Sequence, residues 1–296
     1  MIRDFEYLRA GSLPEALDYL ARYGERAKIL CGGQSLLILM RQGLVQPEFL
    51  IDIKGLEELN FVELTAEKGL RLGATTTHRT IEKSPLIKEH FPLLAEMEKN
   101  LASIQTRNWG TIGGNLAHAD PAGDPAPVLI AMKAKVILQK KEEKRVLELE
   151  DFFLDFFETT LAPDELLREI EVPPIPEQTG VYYEKFTILK SDQGIVSVAG
   201  LINLDDGLRC REARIVLGGA APKPLRAKKA EKVLCGEKID SKLLEKAGEE
   251  ASRESEPVSD IHASEEYRRY LVKFLVKKIV GRAWAKAKEL AENKGG

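Results

Sequence analysis

Two glycine doublets limit what this chain can fold into. Gly32-Gly33 follows the short apolar run Lys28-Ile29-Leu30-Cys31, and Gly113-Gly114 opens the run TIGGNLAHADPAGD at residues 111–124. Glycine tolerates positive φ and lets another group come close to the backbone. A buried strand that ends in Gly-Gly before a helix can aim several N–H groups at an anion in front of that helix. The amides of residues 34–37 suit the first site, and Gly113-Gly114-Asn115 offers a second such nest. Asn115 adds a side-chain amide, and Asp120 and Asp124 can accept from sugar hydroxyls. Each segment alone also suits a plain tight turn. Together, two donor nests fit the two phosphates of a dinucleotide. The chain contains neither GxxxxGK[ST] nor GxGxxG, which excludes a P-loop and a Rossmann binder by motif.

Around these segments the sequence divides into three units. Ser12 and Glu15 form a capping box for a helix ending near Gly24, 28–31 reads as a strand, 35–42 as a helix and 49–53 as a strand. A second unit has strands at 61–64 and 70–73, a helix over 83–101, an apolar helix over 125–132, and a hairpin of 135–139 with 145–149. The linker signal PPIPEQTG lies at 173–180. Strands at 182–186, 195–204 and 210–217 follow, then helices over 226–234, 241–252 and 264–290. The last is basic on one side, with a Tyr267, Leu271, Phe274, Leu275 stripe. This pattern suits a solvated face over a buried stripe, or a membrane-surface helix.

Composition narrows the class. The 296 residues are 44% hydrophobic and 31% charged with a net charge of −3, so no global field points to nucleic acid or anionic lipid. Aromatics are 6%, too few for a base-stacking platform. No signal peptide or membrane span is apparent, and a cytoplasmic protein is expected. Cys31, Cys210 and Cys235 are far apart in sequence and contain no CxxC, so no four-thiolate cluster is expected. His118 and Asp120 form a conceivable metal pair, but a polar loop pair satisfied by backbone is favoured.

The segments CGGQSLLILMR, GATTTHRTIE, QTRNWGTIGGNLAHADPAGD and SDIHASEEYRRYLV resemble the FAD-binding medium subunits of the molybdenum hydroxylase family, which includes xanthine and carbon monoxide dehydrogenases. The likeness runs in order along nearly the whole chain and extends to Pro224-Leu225-Arg226 with Glu231, Leu234 and Gly236. It implies an α+β fold: two small α/β subdomains (1–57 and 58–176) forming a PCMH/VAO-type FAD-binding domain, then a C-terminal antiparallel sheet with helices (177–296). It implies FAD wrapped by Ile29, Leu30, Cys31, Gly32, Gly33, Gln34, Ser35 and Leu36. Thr111, Ile112, Gly113, Gly114 and Asn115 would line the other side. Asp124 would take the adenosine ribose, Leu101 and Ala102 the adenine, and Leu167 and Lys185 the isoalloxazine ring. No residue is expected to act as nucleophile or base, and no metal is expected on this chain.

Three departures stand out: Cys31 where alanine is usual, Trp109 before TIGGN, and Leu189-Lys190 where the family often carries arginine. The implied partners are a molybdopterin-binding large subunit and a small subunit with two [2Fe–2S] clusters, in a dimer of heterotrimers. This chain would pass their electrons to a terminal acceptor. The alternatives are a stand-alone FAD-dependent oxidoreductase and a scaffold subunit that has lost its flavin.

Overall fold

A computed structural model describes residues 2–189 and 192–294. Its first sheet is parallel, in the order β1 (Glu6–Arg9), β3 (Phe49–Asp52), β2 (Ala27–Leu30), joined by helices α1 (Leu13–Tyr23) and α2 (Leu36–Arg41). α1 starts where the sequence places it. Ser12 Oγ accepts the Glu15 N–H at 3.3 Å, although the Glu15 carboxylate reaches Gly11 N–H at 2.7 Å rather than that of Ser12. Leu13, Ala16, Leu17 and Leu20 are buried on one face, as the spacing requires. β1 was not foreseen. Its four residues are mostly exposed and lack the alternation that marks a strand.

The second sheet has the order β4 (Val62–Thr65), β5 (Gly69–Gly73), β10 (Leu166–Val172), β6 (Lys135–Gln139), β7 (Lys144–Glu148). Between β5 and β6 lie six short helices, α3 (His78–Lys83), α4 (Pro85–His90), α5 (Pro92–Lys99), α6 (Ile104–Trp109), α7 (Ile112–His118) and α8 (Pro125–Ala131). The helix expected over 83–101 is therefore broken. Ser84 (φ −56°, ψ 120°) and Phe91 (φ −135°, ψ 55°) leave the helical region because each precedes a proline whose ring crowds it. β8 (Phe153–Asp155) and β9 (Glu158–Thr159) form a small hairpin. Along β10, side chains alternate between cores: Leu166 joins the core of the first sheet and Leu167 that of the second.

The third sheet is antiparallel, β11 (Thr179–Phe186), β12 (Val196–Leu204), β13 (Cys210–Gly218), β14 (Leu225–Arg226), covered by α9 (Lys228–Leu234), α10 (Ser241–Glu254) and α11 (Glu265–Lys294). Leu271, Val272, Leu275, Val276, Ile279, Val280, Ala283 and Ala287 form the buried face of α11. The expected stripe is half right: Leu271 and Leu275 are buried, whereas Tyr267 and Phe274 are exposed beside it. With that apolar face against the sheet, the solvated-face reading holds for α11. None of the described helices is long and apolar enough to cross a membrane. Ala199 and Val216 from this sheet join the core of the second, so the two units are welded by apolar packing. Cys210 and Cys235 meet in space: burial, then the neighbouring Cys235 thiol, pushes Cys210 up to about 12.

Candidate functional site

The two glycine segments touch. A β-carbon on Gly32 would stand 2.3 Å from the Trp109 carbonyl oxygen and 2.8 Å from Gly110 Cα, so only glycine permits this approach. Cys31 and Thr111 are in side-chain hydrogen-bond contact across the same seam, and burial pushes the Cys31 thiol up to about 11. That shift keeps the thiol protonated and unreactive near neutrality. Ile29 and Leu30 lead into the seam from β2, with Leu30 C=O accepting from Ile53 N–H at 3.1 Å.

In the first segment the N–H groups of Gly33, Gln34 and Ser35 have no acceptor among the described residues, while that of Gly32 bonds the Cys31 thiol. Gly33 has φ +69°, and the segment turns into α2 at Leu36. Three adjacent uncommitted donors beside a second backbone wall fit an anionic group such as a pyrophosphate.

The second segment differs from expectation. Gly113, Gly114 and Asn115 are not a loop nest but the first turn of α7. Ile112 N–H donates to Thr76 O, Gly113 N–H to Ala74 O, Gly114 N–H to Thr111 Oγ1 and Asn115 N–H to Thr111 O. Those donors are spent within the protein, so this segment presents a backbone wall rather than free amides. Gly113 is needed for packing, since its β-carbon would lie 2.5 Å from Ala74 Cβ. Gly114 is exposed and leaves the surface open for close approach.

The motif GATTTHRTIE, which sequence alone left without a role, is what holds this wall. Besides the bonds from Ala74 and Thr76, Thr77 bridges Thr111, and His78 N–H donates to Gly110 O at 3.0 Å. His78 Nδ1 lies 2.8 Å from Glu98 Oε2 with both residues buried, and Glu98 Oε1 has no partner. Burial pushes the Glu98 carboxyl up; His78 opposes this and Asp124 adds to it. Further along, Glu82 binds Arg79 at 2.7 Å and Arg107 Nε at 3.0 Å. Burial works to raise the Glu82 carboxyl, but the two guanidinium groups win and hold it low. Arg107 Nη1 in turn donates to Leu101 O at 2.7 Å and Ala102 O at 2.9 Å.

Asp124 and Lys185 are brought together from 61 positions apart, Nζ to Oδ2 at 2.6 Å, each side chain about 8% exposed. Tyr183 Oη donates to the other Asp124 oxygen at 2.5 Å; burial, then Asp124, pushes the phenol well above its ordinary value. Two site residues assigned to different parts of FAD thus lie side by side. Tyr183 escaped the sequence reading, yet it lies two positions before Lys185 on the same strand face, and that spacing could have found it.

Asp120 is also committed, accepting from Ala122 N–H at 2.9 Å and Gln193 Nε2 at 2.6 Å, which leaves it ill-suited to sugar hydroxyls. His118 packs on Phe157, and among the described residues no three His, Cys, Asp or Glu side chains converge as a metal site. Leu167 is buried in the second core. Trp109 is 54% exposed with Lys54 Nζ 3.3 Å above its ring, a cation–π contact rather than loop packing. Leu189 is exposed; Lys190 lies outside the described residues.

The C-terminal motif reaches the same place. Arg268 donates to the carbonyls of Ile195 and Gly219 and pairs with Asp260 at 2.7 Å, while Gly219 N–H donates to Pro121 O at 2.7 Å. The C-terminal motif is thus tied through Gly219 to the end of the second glycine segment at Pro121. A cavity of about 300 Å³ lined by Leu13, Glu58, Lys141 and Arg168 shares no residue with it.

Fold and site together bring two glycine segments into backbone contact with no Rossmann turn between them. Residues 3–175 match the FAD binding domain in molybdopterin dehydrogenase, and residues 181–283 the CO dehydrogenase flavoprotein C-terminal domain. The chain is 36% identical over 280 residues to the nicotine 6-hydroxylase medium subunit of Paenarthrobacter nicotinovorans, covering 95% of this chain and 97% of that one. It is 34% identical over 286 residues to the carbon monoxide dehydrogenase medium chain of Hydrogenophaga pseudoflava, covering 95% and 98%. A solved structure of carbon monoxide dehydrogenase from that organism, lacking the Mo-pyranopterin moiety, superposes with a TM-score of 0.93 at 34% identity, over 97% of this chain and 99% of that one. The chain belongs to the FAD-binding medium subunits of the molybdenum hydroxylases. It is an FAD-binding oxidoreductase subunit with the two-part fold of that family.

Proposed function

We propose that this chain takes electrons from the [2Fe–2S] clusters of a small partner subunit and passes them to a terminal acceptor. In this reading a molybdopterin-binding large subunit completes a hetero-oligomer, a dimer of heterotrimers. The observation that supports the binding half most directly is the row of uncommitted amides at Gly33–Ser35 beside the wall that meets Gly32 at Trp109 and Gly110. Ile29 to Leu36 would wrap the pyrophosphate, with Gly114, Thr111 and Asn115 opposite and Ile112 and Gly113 behind them. Leu101 and Ala102 would receive the adenine, and Leu167 and Lys185 would flank the ring. Asp124, which pairs with Lys185, would take the adenosine ribose.

A bound flavin supplies a junction between one-electron clusters and a two-electron acceptor, and the protein's part is to set its potential by placed charge. Lys185, paired with Asp124, which also accepts from Tyr183, is the candidate charge. No side chain here is needed as nucleophile or base, so this chain by itself hydroxylates nothing.

The deciding experiment is titration of the ligand-free protein with FAD and, separately, FMN, followed by flavin fluorescence. Stoichiometric FAD binding with FMN much weaker supports a grip on the pyrophosphate. Failure of both flavins to bind folded protein overturns it.

A further inference from the structure

The short helix α6 joins the two parts of the wall. Its C-terminal end delivers Trp109 and Gly110 to Gly32, and its N-terminal end follows Leu101 and Ala102. At about 1.5 Å per residue its six residues span roughly 9 Å, the scale of a ribose and part of a purine. Ala102 has φ +40°, a conformation that L residues rarely adopt without external support. The support comes from Arg107. Its Nη1 holds the carbonyls of both Leu101 and Ala102, and its Nε is held by the buried Glu82 carboxylate, itself bound to Arg79. No lysine can copy this arrangement, because one ammonium cannot hold two carbonyls on one nitrogen and a carboxylate on another in a fixed plane.

We propose that Arg107, fixed by Glu82, is a positioning residue that sets the Leu101–Ala102 turn and thereby makes the site select the adenylate half of FAD over FMN. The inference rests on the FAD reading given above. A turn whose two carbonyls are held by one guanidinium, itself held by Glu82, presents a rigid surface, so an adenine can dock without the ordering cost that a mobile turn would impose. The bonds of Arg107 go to this turn and to Glu82, so losing them should weaken the adenylate half more than the flavin-phosphate half.

The test compares Arg107→Lys and Glu82→Gln with the wild-type full chain, measuring FAD, FMN and ADP affinities by fluorescence titration and ADP competition, with thermal melting to confirm folding. In both variants FAD and ADP affinity should fall roughly tenfold or more, since charge-assisted bonds of this kind are at stake, while FMN affinity falls about fivefold less. An equal fall in FMN affinity, or unchanged FAD affinity, overturns the proposal. Wild-type protein that does not prefer FAD to FMN would instead sink the FAD reading itself. Should both variants fail to fold, hydrogen exchange on the wild type decides. ADP, but not FMN, should slow exchange at residues 100–107, and an absence of ADP protection there overturns the assignment.

Discussion

Gly32 has no room for a β-carbon, and the obstacle is backbone on both sides, which cannot rotate away. Gly32→Ala must part the two glycine segments or distort them. Overpacking of this kind costs ~1–3 kcal/mol, and the separation should weaken FAD binding far more than the melting temperature suggests. Calorimetry and FAD titration on the same sample check this. Gly24 is the control: its β-carbon would meet nothing within 4 Å, so Gly24→Ala should cost only backbone strain and leave FAD affinity unchanged. His118 offers a pH test. Burial lowers its pKa from the ordinary 6.5, so the folded state favours the neutral ring. Stability from this group is present above 6.5 and is lost as pH falls through 6.5 toward the lower native value. His118→Gln should therefore lose less stability than wild type between about pH 7.5 and 5, read as denaturation midpoints across pH.

At the scale of elements, close backbone approach recurs where α11 crosses β11. A β-carbon on Gly180 would stand 1.9 Å from the Ala283 carbonyl oxygen. Gly180→Ala should push the helix off the sheet and destabilise the C-terminal domain by ~1–3 kcal/mol or more, without altering FAD affinity of the molecules that remain folded. Proteolysis and thermal melting report the first effect, and flavin titration the second. The helices also show where local reading stops. Ser12 and Glu15 announce α1, and the hairpin of β6 and β7 appears within a residue of its expected ends, because caps and alternation are local signals. Periodicity over 83–101 could not show that Pro85 and Pro92 would each begin a new helix, which tertiary packing of Ile87, Leu94 and Met97 rewards. For α11 the period was right but the face was misjudged, since Tyr267 packs on Phe186 and Tyr270 at the edge of the sheet rather than under the helix.

Across the whole molecule, Asp124 at the start of α8 and Lys185 on β11 tie the second unit to the third. Both side chains are about 8% exposed, so removing one partner strands the other. Asp124→Asn or Lys185→Met alone should cost about 3–5 kcal/mol, the usual penalty for breaking a buried pair, and the double variant much less than their sum. Chemical denaturation of the four proteins gives the coupling. In FAD-loaded protein, Lys185→Met should also lower the flavin's midpoint potential, because a cation beside the ring favours the reduced anion; an unchanged potential in spectroelectrochemistry removes that role. Local chemistry was legible in the chain alone: which turns need glycine, which helices are capped, which motifs mark the family and therefore the cofactor. Packing was needed to reveal that the second glycine segment is the first turn of a helix with its amides spent. It alone joined Asp124 to Lys185, and it alone placed His78 and Arg107 behind the site. Those facts depend on how sheets pack residues tens of positions apart, and hydrophobic period and turn chemistry carry no record of that.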